Sequence, residues 1–427
     1  MYNILDRTFD YLHAQTLQSF ITMFWFIVIF EFPRFVLGGI VGLYTIFRYF
    51  VKKEAIVPLP DEPIPISVLI PVHNDGKTIQ PTILTLTEQI GVKTQIIVIN
   101  DGSTDDTDLH CQNLKAKGLI DEYIKVGVRG GKASALNMGL RKAKYEYVLA
   151  TDGDTTFFRD AIIQAFQYFK DPNVAAVCGN LRIRNVLSSL ATRMAQLNFV
   201  PSISIGRIVE DLMGFYFVVS GAFGLYRVKA IKSVGGWNYG PGDDGDMSVQ
   251  LRMADWKFIS LAIGTTDAPT TFSRLARQRM RWFRSMIRVR YRKFRWSVLN
   301  STNKNFDFWR AFSFYETYFI QAIVPLLFIA FIVMLFFQYG LFALVAILAV
   351  HLVYATMYFC EYMLYLCISK DRKTDLKLII YIPFYSLFHS YFLRMISLYS
   401  SFNELIHRGS YEDEFYPKKV RERVKKF

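Results

Sequence analysis

Runs of apolar sequence long enough to cross a bilayer stand on both sides of a more polar stretch in this chain. The first covers residues 18–50, is broken by Glu31-Phe-Pro33-Arg34 and closes on Arg48, Lys52 and Lys53. After Asn300 three more follow, at 311–337, 341–368 and 376–402. A helix needs ~20 residues to cross a hydrocarbon core ~30 Å thick. Residues 33–50 are therefore the safest first span, and 20–32 extend it as a tilted helix, lie in the interface, or form a short second span. Glu31 and Arg34 sit one helical turn apart, a spacing at which they can pair.

The loop 369–373 and the tail 418–426 are both basic, which places both on the cytoplasmic side. Three full crossings after Asn300 do not satisfy that parity. With Pro383, His389 and Arg394 inside it, the last run is expected to be broken, re-entrant or interfacial. At 52% hydrophobic and 20% charged residues, the chain divides into one soluble and one membrane domain. Cys111, Cys178, Cys360 and Cys367 show neither metal spacing nor a disulfide framework, which suits a reducing compartment. Asp6, Asp10 and His13 precede the first apolar run, so no cleavable signal is expected.

Four prolines between Val57 and Pro65 read as an extended linker. Beyond it, Ser67-Val-Leu-Ile-Pro71 is a short buried strand ending in His73-Asn-Asp-Gly76. Gln95-Ile-Ile-Val-Ile99 ends at Asn100-Asp101-Gly-Ser-Thr, and Tyr147-Val-Leu-Ala-Thr151 runs into Asp152-Gly-Asp154. A weaker strand is expected near 123–126, and helical spacing occupies 78–90, 107–116 and 132–143. Such alternation predicts an α/β domain with a doubly wound, mostly parallel sheet, whose ligands bind at the carboxyl ends of the strands.

The polar residues fall at those ends. Asp152 and Asp154 offer two hard carboxylate ligands to one Mg²⁺ or Mn²⁺ shared with a diphosphate, although such pairs also occur as solvated turns. Asp101, just past a strand, can accept hydrogen bonds from a base or ribose. Arg129-Gly-Gly-Lys132 puts a cation and a flexible loop at a helix start, which suits a diphosphate. In Gly240-Pro-Gly-Asp-Asp-Gly-Asp246 the carboxylates repel one another, so a raised pKa makes Asp244 a candidate general base, with Asp246 supporting the helix that follows.

No acidic residue occurs from Ala268 to Phe306, while Arg274, Arg277, Arg279, Arg281, Arg284, Arg288, Arg290, Arg292 and Arg295 are interleaved with Trp282, Phe283, Tyr291, Phe294 and Trp296. Such a segment can bind nucleic acid. Placed directly before a membrane span, it reads better as an interfacial helix on anionic headgroups. The net charge of +14 then belongs to the membrane face and to substrate phosphates.

The combination of Asp101, Asp152-Gly-Asp154, Gly242-Asp-Asp244 and Gln278-x-x-Arg281-Trp282 resembles the processive family 2 glycosyltransferases, the membrane-embedded synthases of cellulose, chitin oligomers, poly-N-acetylglucosamine and hyaluronan. Gly179-Asn-Leu-Arg-Ile-Arg184, Val219-Ser-Gly221 and Leu225-Tyr-Arg227 are similar to segments of these synthases. The resemblance implies a GT-A-type fold with an α-helical transmembrane domain. It assigns Asp101 to the uridine, Lys132 to the diphosphate, Asp152 and Asp154 to UDP and its metal, and Asp244 to the base. Gln278 and Arg281 hold the donor diphosphate, and Trp282 forms the floor under the acceptor sugar. His73-Asn74-Asp75 stands where relatives usually have Asn-Glu, and the tail lacks Trp-Gly-Thr-Arg.

The expected organisation is a transmembrane or interfacial helix (1–53), a linker (54–65), a cytoplasmic catalytic domain (66–283), a basic interfacial segment (284–310), transmembrane helices (311–402) and a basic cytoplasmic tail (403–427). The expected activity is an inverting transfer from a UDP-sugar, UDP-N-acetylglucosamine or UDP-glucose, to a growing polysaccharide that leaves through the protein's own spans in the plasma (inner) membrane. Glu361, His389 and Arg394 line that path or pair within the bundle. Partners are the donor, the polymer and membrane lipids; nucleic acid is not expected, and an accessory export subunit stays open. The rivals are a non-processive transferase acting on a lipid acceptor, a membrane-anchored nucleic-acid or partner-binding protein, and a transporter.

Overall fold

A computed structural model of the chain describes residues 16–51, 59–215, 218–302 and 306–424. The expectations placed on Asp6, Asp10, His13, Lys52, Lys53 and residues 54–58 of the linker lie outside the described residues.

Eight strands form one sheet: β1 (Ile64–Val72), β2 (Val92–Asp101), β3 (Glu122–Val126), β4 (Tyr147–Ala150), β5 (Thr156–Phe157), β6 (Val174–Ile183), β7 (Gly224–Arg227) and β8 (Lys257–Thr266). Their order is β3-β2-β1-β4-β7-β6-β8-β5. The first four are mutually parallel, joined by the helices Ile79–Thr87, Thr107–Ala116 and Lys132–Lys142. Side chains alternate across a strand, so Val68, Ile70 and Val98 face one core while Leu69, Ile97 and Ile99 face the other. Burial on both faces explains why these strands read as continuous apolar runs.

The second half of this mostly parallel sheet contains its antiparallel pairs. Strand β7 runs antiparallel between β4 and β6, β8 lies parallel to β6, and β5 is antiparallel on β8. This reversal brings the start of β7, with Gly221 just before it, to the edge where β1, β2, β4 and β6 end.

Helical residues 17–51 are continuous, so the first apolar run extends as one helix. A π-turn over Ile27–Glu31 comes shortly before Pro33, whose missing N–H removes a regular helical bond. Among the described residues, three stretches are long and apolar enough to cross a membrane: Ile21–Phe47, Phe308–Ile368 and Arg372–His407. The second folds back at Gly340, which has a φ of +56° that glycine adopts freely. It becomes a hairpin in which Phe328, Phe331 and Leu335 pack with Ala346, Val350 and Tyr354.

Glu31 does not pair with Arg34. It is buried and pairs with Arg394, whereas Arg34 is exposed on another face of its helix. Segment Arg372–His407 touches the catalytic domain and the basic segment that follows it. Asp375 pairs with Arg182 at 2.8 Å, Asn198 donates to the Tyr385 hydroxyl at 3.4 Å, Phe272 packs on Phe388 and Phe392, and Glu404 meets Arg292 at 3.3 Å.

Candidate active site

Asp101 shapes the loop ahead of Lys132. One carboxylate oxygen accepts from Gly130 N at 2.6 Å and the other from Gly131 N at 2.8 Å. Gly131 takes a φ of +88° and delivers Lys132 at the first position of its helix. The Lys132 ammonium then lies 2.7 Å from Asp152 Oδ1 and 3.8 Å from Asp244 Oδ1. Three residues more than 100 positions apart in all are thus joined through one cation. Burial of Lys132 works against its charge, but Asp152 and Asp244 outweigh that and hold its pKa well above the usual lysine range.

Asp244 sits in the first turn of the helix Asp243–Met253, preceded by Gly242 in a left-handed conformation. Its Oδ2 accepts from Gly221 N at 3.0 Å, and its carbonyl accepts from the Ser248 hydroxyl, which in turn accepts from Val219 N. A Cβ at position 221 would collide with Lys132 Nζ and the Asp244 carboxylate, which explains the glycine in Val219-Ser-Gly221. Burial raises the pKa of Asp244, Lys132 opposes the shift and Asp152 adds to it. Burial and the adjacent Asp244 push Asp243 up to about 7.

Asp154 and Asp152 leave β4 beside Asp75, from the loop after β1. Burial pushes Asp154 up to about 7, with Asp152 and Asp75 adding to the shift. Burial likewise raises Asp75 to about 6, against the hydrogen bond from His73 N and with a push from Asp152. No three His, Cys, Asp or Glu side chains among the described residues form a ready cation cage. Crowded hard-oxygen donors whose charges burial and repulsion disfavour nevertheless fit a divalent cation that shares its shell with a diphosphate.

Helix Phe272–Met286 carries Gln278, Arg281 and Trp282 past the acidic turn, where Ser285 packs against Gly242. Trp282 is 40% exposed and stacks on Phe199 at 6.3 Å. Gln278 is half-buried. Arg281 stacks on Phe415 at 4.2 Å, and the same ring lies 6.0 Å below Arg129. The tail thus bridges the Lys132 loop and the arginine helix, a role for which the sequence carried no signal. Asp413 fixes it to Arg284 at 2.5 Å, and Val420 rests on Gly131.

Two expectations change here. Asp246 is fully buried, pairs with Lys293 at 2.9 Å and lies 3.8 Å from Arg288, so it anchors the arginine segment. Arg279, Arg288 and Arg290 are buried, while Arg284 and Arg292 meet Asp413 and Glu404. Residues 284, 288 and 292, four apart on one helical face, point inward because acidic partners arrive from elsewhere in the chain. Asp75 and Gly221 were not singled out as site residues from sequence; only the departure at His73-Asn74-Asp75 hinted at the first.

The mixed sheet, with acidic residues at its strand ends, has the GT-A-like architecture of glycosyltransferases. The family model "Glycosyl transferase family 2" matches residues 67–235. Poly-beta-1,6-N-acetyl-D-glucosamine synthase of Staphylococcus aureus (strain COL) is 30% identical over 290 residues, covering 65% of this chain and 68% of that protein. The chain belongs to the family 2 glycosyltransferases. The Staphylococcus epidermidis enzyme of the same name is 33% identical over 240 residues, 55% of this chain, and the match spans only 58% of its length. Among solved structures, mannosyltransferase PcManGT of Pyrobaculum calidifontis, determined with GDP-Man and Mn²⁺, matches with a TM-score of 0.53 at 17% identity. That match covers 86% of this chain and 98% of the mannosyltransferase, and it supports the GT-A-like fold.

Proposed function

We propose that this chain polymerises a UDP-sugar into a β-linked polysaccharide by processive, inverting transfer and passes the product through its own membrane helices. The observation that carries this reading is Lys132, held between Asp152 on the donor side and Asp244 on the acceptor side. The named staphylococcal relatives favour UDP-N-acetylglucosamine over UDP-glucose as donor.

Asp244 removes the proton from the acceptor hydroxyl. Its raised pKa brings it closer to neutrality, which makes it a stronger base than a solvated aspartate while leaving it ionisable. Gly221 N fixes one carboxylate oxygen and thereby aims the other. Lys132, Gln278 and Arg281 bind the diphosphate as charge builds on it, and Asp101 and its loop receive the uridine. A divalent cation held by Asp152 and Asp154 would neutralise charge on the leaving UDP. Trp282 presents an aromatic face to the acceptor sugar, and one displacement then inverts the anomeric centre.

The domain boundaries follow the same reading. Residues 66–283 are assigned to the catalytic domain, on the cytoplasmic face of the plasma membrane; the basic loop 369–373 and tail support that side. Contacts of Arg372–His407 with that domain through Arg182, Asn198 and Phe272, together with burial of its Arg394 against Glu31, support a segment that is partly interfacial and partly packed in the bundle, with the preceding hairpin supplying crossings. UDP release from each UDP-sugar by the purified chain, abolished by Asp244→Asn while UDP still binds, is the expected result. Oligonucleotide binding with no UDP release would instead support the nucleic-acid rival. Single-sugar products on a lipid would support the non-processive one.

A further inference from the structure

Arg184 ends the segment Gly179-Asn-Leu-Arg-Ile-Arg184, to which the reaction outlined above gives no role. Its guanidinium grips Asp267 with both arms of the fork, Nε donating to Oδ1 at 3.1 Å and Nη2 to Oδ2 at 2.7 Å. The same group reaches the loop that carries the acidic pair: Nη1 donates to the Thr156 hydroxyl at 3.0 Å and Nη2 to the Asp154 carbonyl at 3.3 Å. The Arg184 and Asp267 side chains are each 33% exposed, and an ion pair at such exposure adds little stability by itself. A bidentate pair does fix the plane of the guanidinium, and with it the direction of every other N–H.

The base of this clamp is well tied. Arg184 N donates to Thr266 O at 2.9 Å, Asn185 exchanges two hydrogen bonds with Ala268, and the Thr156 and Thr265 hydroxyls meet at 2.7 Å. Arg182, two residues earlier, joins β6 to Asp371 and Asp375 of the membrane segment. From the other side of the acidic loop, the Thr82 hydroxyl donates to the Gly153 carbonyl at 3.0 Å and Lys132 pairs with Asp152. Three consecutive residues are thus held from three directions: Asp152 by Lys132, Gly153 by Thr82 and Asp154 by Arg184. Only the backbone of Asp154 is held in this way. Among the described residues, its carboxylate has no closer hydrogen bond than that from the Thr155 hydroxyl at 3.5 Å, which leaves it open to a ligand.

We propose that Arg184 is a positioning residue for the cation site, fixing the loop from which Asp154 offers its carboxylate to a divalent ion shared with UDP. This rests on the reading of Asp152 and Asp154 as ligands of that ion. Arg184 acts through the Asp154 backbone, and here geometry and charge make opposite demands. A guanidinium repels a nearby divalent cation, so deleting Arg184 tightens cation binding if its charge is what counts. If its hydrogen bonds to the loop are what counts, deletion weakens binding, because a ligand carboxylate that is no longer held in place loses affinity for the metal. Asp267 offsets much of the repulsion while keeping the other Arg184 donors aimed, which is the arrangement a positioning role calls for.

The test uses the full chain in lipid nanodiscs, with wild type, Arg184→Met and Arg184→Lys compared by calorimetric titration of UDP at a series of Mn²⁺ concentrations. The readout is the Mn²⁺ concentration that gives half of the cation-dependent gain in UDP affinity, and UDP affinity in chelator serves as the folding control. Groups that orient a metal's ligands contribute about 10- to 100-fold to metal affinity. Arg184→Met should therefore raise the Mn²⁺ midpoint about tenfold or more at unchanged affinity in chelator. Arg184→Lys keeps the charge without the planar fork, and should raise the midpoint by less. A midpoint that stays or falls in Arg184→Met overturns the positioning role. If Arg184→Met also loses affinity in chelator, Arg184→Lys decides: a raised midpoint supports the role and a wild-type midpoint overturns it. A wild-type chain whose UDP affinity ignores Mn²⁺ instead removes the cation reading on which the proposal rests.

Discussion

Replacing Lys132 with Met removes the cation between the two halves of the site, and the structure sets the size of the effect. Lys132 Nζ lies 3.8 Å from Asp244 Oδ1, and each side chain is 28% exposed. Attraction over that distance is ~1 kcal/mol with the dielectric of water and ~4 kcal/mol at an effective dielectric of 20. At a pH below the Asp244 pKa, its loss lowers the ionised fraction by a factor between ~6 and ~1,000. Removing a positive neighbour favours the protonated acid, so the acidic limb of the pH–rate profile must move to higher pH. The assay is kcat for UDP release at saturating donor, which separates the base from the part Lys132 plays in donor binding. An acidic limb that stays in place, or moves to lower pH, would refute the coupling of Lys132 to the base.

Gly221→Ala drives a methyl into Lys132 and Asp244; about 1–3 kcal/mol of stability is expected to be lost, with kcat falling about 10²-fold, as read by thermal melting and UDP release. Phe415→Ala frees Arg281 from its ring contact. If that contact competes with donor binding, UDP affinity measured by titration calorimetry rises by about 2- to 10-fold; an unchanged affinity would leave the tail without this role. Glu31→Ala strands Arg394 inside the bundle, where breaking a buried pair costs about 3–5 kcal/mol. Melting in detergent should fall sharply for the single variant and recover when Arg394→Met is added.

What the sequence made legible follows from local physics. Strands β1, β2 and β4 are short apolar runs ending in polar loops, so their placement, and that of Asp101, Asp152 and Asp154 at their ends, could be read from the pattern alone. Strand β7 could not, because Gly224–Arg227 is four residues long and pairs antiparallel on both sides. Without that pairing nothing in the chain shows that Gly221 reaches Asp244. Glu31 misled for a related reason: helical spacing offers Arg34 as partner, but burial selects Arg394, which lies 363 positions away. The arginine segment was read as facing headgroups because Asp246, Glu404 and Asp413 are remote in sequence, and only the fold turns them toward it.

The central claim is that Asp152 and Asp154 hold UDP through a divalent cation. Titration of UDP into the purified chain with Mn²⁺, with Mg²⁺ and with chelator tests it most directly. Either cation should tighten binding by about tenfold or more, and Asp154→Asn should abolish the difference. Equal affinity with and without cation in the unaltered chain would contradict the account.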